Sequence, residues 1–518
     1  MNTKATGTLT VGNFVKVAAI RYGDREAIYC STTGRRFSFR QLNQRTNRLA
    51  NGLTGLGLRK GEVAAFLCTN RAEIVEIYSA LAKIGVLGIP LNYRLAPAEI
   101  VALMAHGEAS ALIFDPWFSE VAAQVREALP QVRHFVGMGD ALPDFALEYE
   151  ALLSRSSDAE PEVDIREEDA MYMNLTSGTT GLPKAYLLTQ YNNAAAGPFF
   201  AGYFDMRRDD VVLTAFPIFG RVGFAWCMVS LLAGARNVIH QFNPQQILGL
   251  IESEKVTISN WVPTMAAFVL SLPDVDKHDL SSLRALVFAA APLTSALQDQ
   301  IRARLCPHLY EFYGLQETGI VACIGPEEKD RRPSSVGKVA FSADVRIVDI
   351  EGRDVPAGTV GSIIARAPSA TAGYFKNEAQ TREAFRDGWF HTGDLGYFDE
   401  EGFLYLAGRS KDMIVTGGQN VFSVEVEDAL LSHPAVAECA VIGLPDDTWG
   451  ERVTAVVVRA PGTAVTEAEL IAFGKERLAG FKVPKSIIWH DQPLPRTPTG
   501  KVTKYVLVET YGGQTADV

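Results

Sequence analysis

Between Ser38 and Phe114 the chain alternates short apolar runs with helical repeats, and this alternation limits the fold more than any other feature. Ser38 starts a helix, with Gln41 three residues on forming a capping box, and Leu42, Leu49, Leu53 and Leu56 fall near one face until Gly57. Residues 63–68 read as a strand, 71–83 as an amphipathic helix ended by Gly85, 86–90 as a strand, 97–105 as a helix and 111–114 as a strand. Strands alternating with helices imply a mostly parallel sheet with helices on its faces.

At 518 residues the chain is too long for one core. Roughly 100–200 residues per domain predicts about three to five structural units. The charged stretch 154–169 reads as a solvated connector. Beyond it a second α/β unit is expected, with strands at 210–216, 237–240, 257–261 and 283–288 and an apolar helix at 223–232. After about Val336, short runs at 345–350 and 361–366 with turns at Gly352 and Gly358 suit a small antiparallel β unit. The last hundred residues read as a compact α+β module: helices at 423–431 and 467–478, strands at 435–442, 452–458 and 486–490. The expected division is therefore 1–409, subdivided roughly at 1–170, 171–335 and 336–409, followed by 410–518.

A net charge of −11 argues against general binding of nucleic acid or anionic membranes. The six cysteines show no CxxC spacing and read as free thiols of a reducing compartment. The eight histidines have no ligand spacing, so no structural metal is expected. No signal peptide, no apolar run long enough to span a bilayer, and no lipidation or peroxisomal signal is read, so a cytoplasmic location is expected.

The stretch Thr176-Ser177-Gly178-Thr179-Thr180-Gly181-Leu182-Pro183-Lys184 stands between apolar runs at 170–175 and 185–188. Its glycines let backbone N–H groups approach one centre. Its hydroxyls add donors without bulk, and Lys184 adds a mobile charge. That composition suits a polyanion and equally an ordinary surface turn. It is not a Walker A match, because Lys184 does not directly follow a glycine. Four further polar clusters interrupt apolar surroundings: 311–319 (EFYGLQETG), 389–395 (WFHTGDL), 408–412 (GRSKD) running on to Gly417-Gly418-Gln419-Asn420, and 495–501 (PRTPTGK).

With TSGTTGLPK, HTGDLG, GRSKDMI and PRTPTGK in this order, the chain resembles the adenylate-forming superfamily of acyl-CoA synthetases, peptide-synthetase adenylation domains and beetle-type luciferases over nearly its whole length. The resemblance implies an α/β fold whose large N-terminal domain holds two α/β subdomains and a small β unit, followed by a small mobile α+β C-terminal domain. It implies an ATP-dependent acid–CoA ligase. A carboxylate attacks the α-phosphate of ATP and expels pyrophosphate, and the CoA thiol then displaces AMP. Two anions meet in the first step, so charge neutralisation and positioning dominate. By resemblance, Thr176, Ser177, Gly178, Thr179, Thr180, Gly181 and Lys184 hold the β- and γ-phosphates. Glu317 helps hold Mg²⁺, a hard cation that takes oxygen ligands. Tyr313 stacks on the adenine, flanked by Ala290, Ala291 and Pro292. Glu311, Gly314 and Gln316 belong to the same nucleotide cluster. Asp394 accepts from the ribose hydroxyls, with Arg409 nearby. Lys501 bridges the carboxylate and the α-phosphate, so Lys501, Glu317 and Thr176 are the implied catalytic residues. Lys411 is the implied hinge. Trp449, Phe481, Lys482 and Lys485 match positions that meet the CoA nucleotide, Gly417 and Gly418 leave a channel for its pantetheine arm, and core packing is the competing reading for Trp449 and Phe481.

The chain departs from the family at Gly220, where a His is usual, at Gln316, where Thr is preferred, at Val483, where a second basic residue is common, and at Ala185 and Gln190. Phe219, Gly220, Arg221, Val222, Trp261, Thr264, Ala289 and Leu315 are the expected acyl-pocket residues. They are mostly apolar, which favours a fatty or aryl acid; Arg221 could meet a polar substrate group. The competing reading is an adenylation enzyme that loads an acid onto a carrier protein. A luciferase is disfavoured because Val415 stands where those enzymes carry a second lysine, and a catalytically dead regulator because Lys501 and Glu317 are both present. Small-molecule acid, ATP and CoA are the expected partners of a monomer or homodimer.

Overall fold

The computed structural model describes residues 9–176, 184–291, 293–446, 448–496 and 502–512. Ser38 Oγ accepts from the Gln41 N–H (3.1 Å) and Gln41 Oε1 accepts from the Ser38 N–H (2.9 Å), so the capping box opens helix Phe39–Gly55. Two orphan donors at the helix start are thereby satisfied. Strand Ala111–Phe114 and helix Ser423–Leu431 have the expected bounds, and most other elements lie within a few residues of theirs.

Among the described residues the chain builds three sheets. The first orders Leu147–Glu148, His134–Gly137, Ala111–Phe114, Val63–Leu67, Leu87–Pro90, Ala170–Thr176 and Lys184–Thr189. It is parallel except for its last pair. The second runs from an edge hairpin, Glu26–Cys30 with Arg36–Ser38, through five strands to Leu309–Leu315. Sequence order and sheet membership therefore differ. Residues 26–38 join the second sheet, through Ile28 beside Asn237, before the first sheet has begun.

Helix Ala72–Ile84 shows why the two sheets pack. It was expected to be amphipathic, yet all 13 of its residues are buried. Its charges mimic a solvent face in sequence, and in the fold each meets a partner. Arg71 Nε lies 2.8 Å from Glu73, Arg45 Nε lies 2.6 Å from Glu76, and the Tyr149 hydroxyl donates to Glu76 (2.7 Å). Lys83 Nζ donates to Asn47 Oδ1 (2.6 Å) and Glu160 Oε2 (2.7 Å). Buried charges persist only when paired in this way. Glu160 belongs to the stretch expected to be a solvated connector, and the Asn47 and Asn51 amides also bind its backbone at 157–159. The connector is thus a strap across the helix layer.

The antiparallel strands after residue 335 continue the second sheet and share a core cluster around Val336, Ile347, Ile363 and Leu404. Ser335–Val339 pairs with Gly319–Ile324, and the second sheet continues through Leu404–Arg409, Trp389–Phe398, Gly361–Arg366 and Asp344–Val348. Gly337 makes this close junction possible. Its φ is +99°, and a Cβ there would stand 1.9 Å from the Cys323 carbonyl oxygen. The C-terminal module holds the third sheet, around the long pair Val436–Asp446 and Gly450–Arg459. All six cysteines are free and five are buried. No helix of the described residues is long and apolar enough to cross a membrane.

Gly337→Ala should cost roughly 2–4 kcal/mol, because backbone strain and overpacking against a carbonyl add. Urea unfolding measures this; a loss below about 1 kcal/mol would show that the junction yields.

Candidate active site

Strands Ala170–Thr176 and Lys184–Thr189 pair antiparallel, with Thr176 opposite Lys184. The phosphate-loop candidate therefore connects two neighbouring strands at one sheet edge. Ser177, Gly178, Thr179, Thr180 and Gly181 lie outside the described residues, as do Pro292 and Lys501. Strand Ala285–Phe288 ends in the Ala289-Ala290-Ala291 turn, where Ala290 has φ +72°. A left-handed alanine is a strained backbone position of the kind that gathers at ligand sites.

Strand Leu309–Leu315 and the turn after it carry the next group of candidates. Gly314 is required by packing, since a Cβ there would meet the Gly319 carbonyl oxygen at 2.0 Å. The Tyr313 hydroxyl donates to Asp394 Oδ2 (2.6 Å), while Arg409 Nε holds Asp394 Oδ1 (2.8 Å). Residues 394 and 409 face each other across an antiparallel pair, so strand register creates this contact. Burial first, then the Asp394 carboxylate, raises the Tyr313 pKa and keeps the phenol protonated as a donor. Gln316 Oε1 accepts from Tyr186 Oη (3.1 Å) and Asn174 Nδ2 (3.4 Å), which turns its amide nitrogen the other way. Glu317 is buried, and its Oε1 accepts from the Tyr374 hydroxyl (3.0 Å).

Three expectations need correction. Glu311 does not face this cluster: its buried carboxylate is salt-bridged to Lys329, whose ammonium also donates to the Ser335 carbonyl (2.9 Å). Trp261 packs in the core with Phe288 and Leu293 and is fully buried, so it offers no pocket surface. Arg221 is buried at the start of helix Arg221–Ala233, and its guanidinium donates to the Gln316 and Ser369 carbonyls. It is not free to meet a substrate group through those N–H donors. Gly220, Val222, Thr264 and Leu315 remain partly accessible, and Phe219 packs edge-on against Tyr93 at 5.3 Å between ring centroids.

In the C-terminal module Trp449 is 48% exposed and Phe481 37%, which rejects core packing for both. Lys485 Nζ lies 5.8 Å from the Trp449 ring centroid and Lys482 Nζ 5.7 Å from that of Phe481. The Gly417 N–H donates to the Trp449 carbonyl (2.8 Å), and a Cβ on Gly417 would press on the indole at 2.8 Å. Val483, where a second basic residue is common, is buried. Lys411 is exposed in the short turn Ser410–Asp412.

Tyr186, Asn174, Tyr374 and Ser369 were not expected near these residues. For Asn174 a signal existed: apolar Met171, Met173 and Leu175 alternate with Tyr172, Asn174 and Thr176, which marks a polar face leading to the loop. Tyr374 and Ser369 carry no such pattern.

A family model described as AMP-binding enzyme matches residues 15–375, and a second, AMP-binding enzyme C-terminal domain, matches 425–501. The chain is 35% identical over 490 residues to an indoleacetate–CoA ligase of Aromatoleum aromaticum, covering 94% of this chain and 93% of that one. It is 34% identical over 482 residues to a feruloyl-CoA synthase of an Amycolatopsis species, covering 92% and 95%. The structure of an anthranilate CoA ligase in complex with anthranoyl-AMP superposes with a TM-score of 0.90 at 29% identity, covering 97% of both chains. The chain belongs to the AMP-binding enzymes, the adenylate-forming acid–CoA ligases. It is an acid–thiol ligase whose substrates are a small carboxylic acid, ATP and CoA.

Burial raises the Glu311 pKa, and the Lys329 charge only partly opposes this. With the folded pKa above the unfolded value of about 4.3, the protonated form favours the fold. That contribution is complete below the unfolded pKa and is lost as pH rises through the folded one. Lys329→Met leaves burial unopposed and should cost ~3–5 kcal/mol near neutral pH, with part of the loss returning as pH falls towards about 5. Equal losses in urea at both pH values would overturn this.

Proposed function

We propose that the enzyme activates an apolar fatty or aryl acid, with the residues above divided between nucleotide, metal, acid and thiol. The observation that carries the nucleotide side is Asp394, fixed by Tyr313 on one oxygen and by Arg409 of the paired strand on the other. A carboxylate so held is preorganised to accept from two ribose hydroxyls. Tyr313 and the strained Ala290-Ala291 turn form the adenine side, and the loop from Thr176 to Lys184 takes the β- and γ-phosphates. Gln316 points an amide donor at the α-phosphate.

Glu317 is suited to Mg²⁺. Tyr374 orders one carboxylate oxygen, and the other accepts no hydrogen bond from the described residues. Mg²⁺ takes oxygen ligands and is commonly held by one or two carboxylates plus substrate phosphates. When bound, it supplies neutralisation of phosphate charge. Lys501 donates to the acid oxygen and the α-phosphate as charge shifts onto pyrophosphate. The C-terminal module then turns at Lys411, and Gly417, Gly418, Trp449, Phe481 and Lys485 receive the CoA arm, whose thiol attacks the acyl carbon and releases AMP.

An apolar acid is supported by Val222 and Leu315, which are partly accessible, and by Arg221, whose guanidinium is engaged by backbone carbonyls. Relatives named for feruloyl and indoleacetate substrates are consistent with a ring. Gly220 leaves room: its φ is −84°, and a Cβ would touch only the Pro217 carbonyl oxygen, at 3.4 Å.

Lys501→Ala should lower pyrophosphate release on the order of 10²–10³-fold while a supplied acyl-adenylate is still converted to acyl-CoA; near wild-type release would remove Lys501 from the mechanism. Gly220→His should leave the melting temperature unchanged and lower kcat/KM roughly tenfold or more for bulky aryl acids, but not for short acids. A panel of acids scored by pyrophosphate release checks this, and a uniform loss would place Gly220 away from the acid.

A further inference from the structure

Residues 316–318 turn the chain between strands Leu309–Leu315 and Gly319–Ile324. Their three carbonyls are held from behind by other parts of the chain. Gln316 O accepts from Arg221 Nη1, Glu317 O accepts from the Thr371 N–H (2.8 Å), and Thr318 O accepts from Ser369 Oγ (2.6 Å). Arg221 Nη2 donates to the Ser369 carbonyl, so one guanidinium spans both the turn and the 369–371 segment. Thr371 Oγ1 in turn donates to the Leu187 carbonyl (2.7 Å), which ties that segment to the strand after the phosphate loop.

We propose that Arg221 is a positioning residue, which sets the Gln316 and Glu317 side chains for adenylate formation and couples them to the acyl-side segment 216–220. The proposal rests on the reading that Gln316 and Glu317 serve the phosphate and its metal.

Three observations support it. Arg221 is buried, and no carboxylate among the described residues lies within 4.0 Å of its charge, so carbonyl dipoles rather than an ion pair hold it. Two carbonyls on different segments need a planar fork, which lysine lacks. The packing is close: Gly319 has φ +74°, and a Cβ there would stand 2.8 Å from Ser369 Oγ and 3.3 Å from Arg221 Nη2. Finally, the segment before Arg221 is itself fixed. The Tyr78 hydroxyl donates to the Ile218 carbonyl (3.1 Å), Asn70 Nδ2 donates to the Phe216 carbonyl (2.9 Å), and Asn70 Oδ1 accepts from the Ile218 N–H (2.9 Å). A shift of this segment reaches the Gln316 backbone through one rigid side chain, and displacements on this scale matter at reacting centres.

Arg221→Lys and Ser369→Ala are compared with wild type and with Glu317→Gln in both half-reactions. Arg221→Lys should lower the adenylation kcat on the order of 10–100-fold. KM for ATP and the conversion of supplied acyl-adenylate to acyl-CoA should each change less than about threefold. Ser369→Ala, which removes only the hydrogen bond to the Thr318 carbonyl, should move the same parameter in the same direction by less, and Arg221→Gln decides the matter if Arg221→Lys fails to fold. Unchanged adenylation in the folded variants, or equal loss in both half-reactions, overturns the positioning role. If Glu317→Gln also leaves adenylation intact, the underlying reading of the turn fails; if only Glu317→Gln impairs it, the proposal about Arg221 alone fails.

Discussion

The burial of helix Ala72–Ile84 with its charges satisfied is the constraint on which the rest of the architecture depends. An uncompensated carboxylate or ammonium inside a core costs several kcal/mol. Glu73, Glu76 and Lys83 avoid that cost through Arg71, Arg45 and the Asn47–Glu160 pair. Arg71 stands at the start of the helix itself, Arg45 and Asn47 come from the preceding helix, and Glu160 comes from the connector. The helix layer that holds the first sheet to the second is therefore fixed by polar complementarity as well as by apolar area. Tyr78 on this helix also anchors the segment leading to Gly220 and Arg221.

Carboxylates that look alike in sequence divide into two kinds by what surrounds them. Glu311 is salt-bridged inside the sheet and supports the strand that carries Tyr313. Asp394 and Glu317 are each oriented by a tyrosine hydroxyl, and Asp394 is also paired with the Arg409 guanidinium. Strand pairing does the orienting, because Asp394 faces Arg409 across one ladder and Tyr313 lies in the same sheet.

The chain's motifs made the family and the α/β class legible, because each motif needs particular residue types at short spacing. Capping and periodicity placed many elements well: the Ser38–Gln41 box and the strand 111–114 depend only on local chemistry. Three readings failed for one shared reason. Glu311, Trp261 and Arg221 lie in or beside the right motifs, but direction and burial depend on neighbours 18 or more residues away. The polar clasp of Tyr374 and Ser369 was invisible for the same reason.

By itself the sequence determined the reaction class and the set of groups that could serve it, since phosphate, ribose and thiol chemistry demand recognisable residues. Tertiary structure decided which of those groups share a site and which are spent on the fold. Sheet register brings Asp394 to Tyr313 and Arg409, and long-range packing commits Arg221 to backbone carbonyls. Local sequence cannot encode such choices, because the energy of a buried polar group depends on the partner that meets it after the sheets have closed.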